Sequence, residues 1–169
     1  MSNFTGHYAI SIAVISKFNL IIMNLNIRAA KSEDIPSILQ LVQELAEFEN
    51  EPDAVLASLE DYKKHFAEGL FQSIVAESKG EIVGIAIFYD TFSTWKGKML
   101  YLEDFVVKAV YRQTGVGQKI FSAVIEEAKK RGAKLLKWQV LDWNEGAIQF
   151  YKKNMATIEH EWLNGKIVF

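Results

Sequence analysis

Apolar residues recur along this chain in two rhythms, and the switches between them outline its elements. Residues 25–29 read as a short strand. Ile35, Ile38, Leu39, Val42, Leu45 and Ala46 then mark one face of a helix, with Ser32 in the place of an N-cap and Pro36 in the first turn. Ser58-Leu-Glu-Asp61 is a capping box with aspartate replacing glutamate, and it opens a second helix reaching residue 68. Residues 73–77 and 82–89 are strands around a Lys79-Gly80 turn, and residues 98–107 form a longer one. Ile120, Phe121, Val124, Ile125 and Ala128 form a helical stripe that stops at Gly132. Residues 135–141 are another strand, and Asn144 caps a helix bearing Ala147, Ile148 and Tyr151. Two last strands, 157–163 and 166–169, flank Asn164-Gly165, a hairpin signal. The order βααβββαβαββ predicts an α/β (α+β) class, a mixed sheet with helices on its faces.

Residues 8–23 are mostly apolar, but Lys17 and Asn19 break a run already too short to span a bilayer. The start lacks the basic residues and Ala-x-Ala site of a signal peptide. Met23-Asn-Leu-Asn-Ile-Arg28 looks like a natural beginning, so residues 1–24 are expected to be an extension from an over-called start. Residues 25–169 are then one domain.

Composition narrows the function. Half the residues are hydrophobic and 24% charged, ordinary for a soluble enzyme or binding module. A net charge of −2 argues against a nucleic-acid partner. The basic run Lys129, Lys130, Arg131, Lys134 sits at a helix C-terminus, where cations complement the dipole. There is no cysteine, hence no disulfide, thiolate metal site or cysteine nucleophile, and a reducing, cytoplasmic setting fits best. His7, His65 and His160 lack metal-ligand spacing, so no metal is expected.

The most informative stretch joins the long strand to the helix behind it: Tyr111-Arg-Gln-Thr-Gly-Val-Gly-Gln118. Glycines let a backbone approach a ligand closely, and a helix start attracts phosphate. The dinucleotide fingerprint fails, because Ile120 stands where its third glycine belongs. The triphosphate loop fails too, for want of Gly-Lys-Ser/Thr. Within the long strand, Glu103 and Asp104 interrupt an apolar run. Strict alternation would put Glu103 with Tyr101 and Phe105, and Asp104 with Leu102 and Val106 on the other face, which argues against a carboxylate dyad. Asn144, Ala147, Ile148 and Tyr151 share one helical face, where a tyrosine is as compatible with core packing as with chemistry. Glu44, Glu47, Glu49, Glu51 and Asp53 cluster at a helix end, either a solvated surface or a cation-attracting rim.

Arg112-x-x-Gly-x-Gly117 between a strand and a long helix resembles the pyrophosphate loop of the GCN5-related N-acetyltransferase (GNAT) superfamily. Tyr101-Leu-Glu-Asp-Phe-Val-Val107, Asp142-Trp-Asn-Glu145 and Phe150-Tyr-Lys152 narrow the resemblance to its diamine and thialysine acetyltransferase group, from about residue 25 to the C-terminus. The resemblance implies the GNAT fold, a mostly antiparallel twisted sheet with helices on both faces. It implies acetyl transfer from acetyl-CoA to a primary amine of a small cationic substrate, directly within a ternary complex, and a homodimer. It implies that Phe105, Val106, Val107, Arg112, Gln113, Thr114, Gly115, Val116, Gly117 and Gln118 hold acetyl-CoA, with Asn144, Gly146 and Ala147 from the later helix.

By the same resemblance Glu103 binds the amine and accepts its proton through water, and Tyr151 protonates the departing sulfur. Such an acceptor is needed because deprotonating a lysine-like ammonium at pH 7 costs about 4.6 kcal/mol. Phe48, Glu49, Trp95 and Asp104 match positions lining the amine pocket, with Trp162 either there or in the core. Polyamine acetyltransferases of the group carry an aspartate where this chain has Ser93, so an amino-acid side-chain amine is expected over spermidine. The alternatives are acetylation of peptide or protein lysine, and a non-catalytic acyl-CoA sensor.

Overall fold

The computed structural model describes residues 25–168. The proposed extension, residues 1–24, and Phe169 lie outside the described residues. Two units divide the chain, one running through Lys137 and one from Trp138.

The first unit is built on a five-stranded sheet in the order β1-β2-β3-β4-β5. Its strands are β1 (Leu25–Ala29), β2 (Gln72–Ser78), β3 (Glu81–Ser93), β4 (Gly97–Val107) and β5 (Leu135–Lys137). β1 to β4 pair antiparallel, and β5 joins β4 in parallel. Among the described residues three α-helices cover it: α1 (Ile35–Phe48), α2 (Leu59–Ala67) and α3 (Val116–Lys130).

Strand alternation gives each face its own core. Val75, Ile85, Ile87 and Val106 pack with Ile35, Ile38, Leu41 and Val42 of α1, and Leu59, Tyr62 and Phe66 join them from α2. On the other face α3 buries Ile120, Phe121 and Val124, and the Phe121 ring lies 5.9 Å from that of Phe105. Gly84 allows α3 to come this close, since a Cβ there would sit 2.7 Å from Ile120 Cδ1 and 3.0 Å from the Val106 carbonyl oxygen.

Two expectations need correction here. Ser32 does not cap α1; it opens a single 3₁₀ turn, Ser32–Asp34, that precedes the helix. The Asp34 carboxylate accepts from both Arg28 terminal nitrogens at 2.6 and 2.9 Å and from the Lys31 N–H at 2.7 Å, so the turn is held by a partly buried ion pair. β5 spans only Leu135–Lys137 rather than reaching residue 141. The capping box at Ser58 forms as expected, its Oγ accepting from the Asp61 N–H.

The second unit contains α4 (Glu145–Lys153), with Asn144 Oδ1 accepting from the Ala147 N–H at 3.1 Å. The strands expected at 157–163 and 166–169 do not form among the described residues. A hairpin turn fixes register only where its strands have a face to bury. Leu163, Ile167 and Val168 are all strongly exposed here, and so is Trp162 at 72%, which removes the core role considered for it.

Candidate active site

A break in strand register builds the chemistry of the first unit. Ile87 opposes Asp104 and Phe88 opposes Leu102, which leaves Glu103 as an extra residue on β4 with no counterpart. A β-bulge of this kind re-aims side chains and occurs often beside functional sites. Tyr101 pairs with Tyr89, and Asp104 pairs with Ile87, so both halves of β4 direct a residue to the face that carries Ile87 and Tyr89. Glu103 and Asp104 therefore line one cavity instead of facing opposite ways, which corrects the alternation argument.

That cavity is about 410 Å³ in volume. Its floor is Ile87, Tyr89, Glu103 and Asp104, and its opposite wall is Asp61, Tyr62 and His65 of α2 with Leu70 and Phe71. The Tyr89 hydroxyl donates to Glu103 Oε2 at 2.8 Å, and its ring stacks on Tyr101 at 5.5 Å. Burial pushes the Asp104 carboxyl up to about 6, and the charges of Glu103 and Glu49 add to the effect. Burial also pushes the Tyr62 phenol up to about 12, with Asp104 and Glu103 contributing. Glu49, at the end of α1, is itself raised by burial. Carboxylates facing aromatic rings suit a small organic cation.

The loop after β4 is shaped by its own hydrogen bonds. Arg112 Nε donates to the Val107 carbonyl at 3.0 Å, and the guanidinium lies 5.0 Å over the Phe48 ring. Thr114, buried, donates through Oγ1 to the Tyr111 carbonyl at 2.6 Å. Gln113 takes φ +60° and Gly115 φ +87°, a left-handed pair of positions that folds the chain into the start of α3. No side chain caps that end. The first-turn N–H groups of Val116 and Gly117 have no acceptor within the helix by its geometry, so they can serve phosphate oxygens. Gln118 Nε2 instead reaches Ser122 Oγ at 3.3 Å.

In the second unit the Tyr151 ring lies 4.7 Å from that of Trp138 and 5.5 Å from Phe150. Tyr151 is buried, and burial raises its phenol well above the usual range, so it stays protonated at neutral pH. Gly146 follows the cap in the first turn of α4.

Residues 35–156 match the profile of the Acetyltransferase (GNAT) family. The chain belongs to that family. The acetyltransferase is 43% identical over 136 residues to a thialysine N-epsilon-acetyltransferase of Bos taurus, covering 75% of this chain and 80% of the relative. A Caenorhabditis elegans protein of the same name is 30% identical over 128 residues, covering 76% and 80%. Among solved structures, an aminoglycoside acetyltransferase from an uncultured soil metagenomic sample, in complex with trehalose, superposes with a TM-score of 0.75. It is 20% identical, covers 88% of this chain and 99% of its own, and shows the shared fold.

Other expected site residues of the acetyltransferase stand apart from the cavity. Trp95 is 79% exposed in the β3–β4 turn and does not line it. Ser93 helps close that turn, its Oγ accepting from the Lys96 N–H at 3.2 Å. Of the acidic cluster, Glu49 acts on Asp104, whereas Glu44 acts on Lys108. Sequence reasoning missed Asp61, Tyr62, His65 and Tyr89. The capping box revealed Asp61 only as a helix start. Among the described residues no helix is long and apolar enough to cross a membrane, and no cluster is suited to a metal.

Proposed function

We propose that this acetyltransferase moves the acetyl group of acetyl-CoA onto the primary amine of a small cationic amino acid of the thialysine or lysine type. The observation that carries this reading is the cavity itself, an aromatic-walled space with two carboxylates set side by side by the β4 bulge. Its volume of about 410 Å³ matches a small molecule. The activity of the cattle and nematode relatives, and Ser93 in place of a second distant carboxylate, favour an amino acid over a polyamine.

In this reading the acetyl-CoA phosphates sit at Arg112, Gln113, Thr114, Gly115, Val116, Gly117 and Gln118. The loop's left-handed turn and uncapped helix start suit them. Phe105, Val106 and Val107 supply backbone to the acetyl-bearing arm, and Asn144, Gly146 and Ala147 further contacts. Glu103 binds the ammonium, with Asp104, Glu49 and Phe48 around it, and Tyr151 is the acid for the leaving sulfur. A homodimer in the cytoplasm is part of the proposal, supported by the family resemblance and the absence of cysteine.

The test is acetyl-CoA-dependent release of free thiol over a panel of thialysine, lysine, spermidine and a lysine peptide. Thialysine or lysine should give the highest kcat/KM. A higher value for spermidine or the peptide would replace the substrate assignment, and light scattering would check the dimer.

A further inference from the structure

The two carboxylates of the cavity are not equivalent. Glu103 is exposed and already accepts the Tyr89 hydroxyl at 2.8 Å, which fixes its orientation and occupies one of its acceptor positions. Asp104 is more deeply placed, opposite Ile87 in the β3–β4 register. The groups that face it come from four directions: Glu103 on its own strand, Glu49 from the end of α1, Asp61, Tyr62 and His65 from α2, and Tyr89 from β3. Negative or neutral neighbours dominate that set. An incoming ammonium is thus attracted, while the proton it brings is held best by the carboxylate with least access to water.

Resting on the acetyltransferase reading, we infer that Asp104 is the catalytic base that takes the proton of the substrate ammonium, while Glu103, held by Tyr89 as a positioning residue, binds that ammonium. One proton of the ammonium passes to the Asp104 carboxylate and then to solvent. The freed nitrogen lone pair forms the C–N bond to the acetyl carbon. The C–S bonding pair departs on sulfur, and the nitrogen's second proton ends on that sulfur. Two carboxylates in one site divide the work, one binding the cation and the other taking its proton. Asp104, at about 6, is roughly a hundredfold more basic than an ordinary aspartate.

The experiment is kcat and KM against pH, from pH 5 to 9, with thialysine and saturating acetyl-CoA. It compares wild type with Asp104→Asn, Asp104→Glu, Glu103→Gln and Tyr89→Phe. Wild-type kcat/KM should fall on an acid limb near pH 6. Asp104→Asn should lose about a hundredfold or more in kcat with little change in the KM for thialysine. Asp104→Glu, which keeps a carboxyl, should recover part of that loss and retain an acid limb, which guards against a mere folding defect. Glu103→Gln should raise KM about tenfold and move the limb to lower pH, and Tyr89→Phe should raise KM a few-fold. An active wild type whose Asp104→Asn variant keeps its kcat, or whose Glu103→Gln variant takes the kcat loss instead, overturns this inference alone. A wild type that acetylates no amine overturns the parent reading as well.

Discussion

The Tyr89 hydroxyl donates a 2.8 Å hydrogen bond to Glu103 Oε2, joining the middle of β3 to the bulge of β4. Burial and this bond to Glu103 both raise the Tyr89 phenol above its usual range, so the donor persists throughout the working pH range. Hydrogen bonds to charged groups contribute about 1.5–3 kcal/mol, and an exposed acceptor puts this one at the lower end. Tyr89→Phe should therefore weaken amine binding roughly tenfold at most, with affinity for acetyl-CoA unchanged. Equal loss of both affinities in calorimetry would show a general collapse of the sheet instead.

The two glycines of the loop separate folding from binding. Gly115 sits at φ +87°, so alanine there should cost about 1–2 kcal/mol of stability and lower Tm by several degrees. A Cβ on Gly117 would meet Phe105 and Val107 side chains at 3.6 Å, an ordinary contact, so Gly117→Ala should fold normally. If backbone at Gly117 approaches phosphate, that variant should still lose about tenfold or more in acetyl-CoA affinity. Unchanged affinity would remove Gly117 from the cradle.

Much of the first unit is visible in the sequence because its apolar rhythms are strong and the capping box at Ser58 marks the start of α2. The part that is not visible has a specific cause. Leu100, Leu102 and Val106 are all buried and all even-numbered, as though one unbroken alternation ran through β4. They belong to different faces, since Leu102 pairs with Phe88 and Val106 with Ile85, two β3 residues of opposite phase. The change of phase falls at the adjacent carboxylates Glu103 and Asp104, and strict alternation reads such a pair as pointing to opposite faces rather than as a bulge. The α2 side of the cavity was hidden for another reason: Asp61, Tyr62 and His65 acquire a role only when α2 folds over β3 and β4. The hairpin signal at Asn164-Gly165 failed because local turn chemistry specifies no partner surface for its strands.

Close packing at Gly84 makes a sharp stability test. Any Cβ there meets Ile120 Cδ1 at 2.7 Å and a β4 carbonyl oxygen at 3.0 Å, and the backbone oxygen cannot rotate aside. Gly84→Ala should destabilise the chain by about 1–3 kcal/mol through overpacking. Urea denaturation measures this directly, and a neutral result would mean that α3 sits farther from the sheet.

Tyr151 is buried beside Trp138, and its phenol is held protonated by that burial. Tyr151→Phe removes only the hydroxyl and should preserve the ring packing. The expected outcome is intact acetyl-CoA binding with a loss of about a hundredfold or more in kcat. Turnover within twofold of wild type would leave Tyr151 as a core residue.

Asp104 also carries a stability signature with a definite sign. Its carboxyl holds a proton more tightly in the folded chain, at about 6, than at its ordinary value of 3.8. The folded state therefore binds more protons across that interval, and stability falls as pH rises through it. Above pH 6 the whole cost is present, about 3 kcal/mol as an upper figure. Asp34 has the opposite sign: its hydrogen bonds from Arg28 hold it below the usual carboxylate range, so its contribution is present at neutral pH and lost in acid. Asp104→Asn should thus be more stable than wild type at pH 7.5 and lose that advantage near pH 4. Asp34→Asn should be markedly less stable at pH 7.5. Urea denaturation at both pH values reads the two variants side by side. An Asp104→Asn variant that is destabilised at pH 7.5 would show that the carboxylate is satisfied in the fold and not held there at a cost for chemistry.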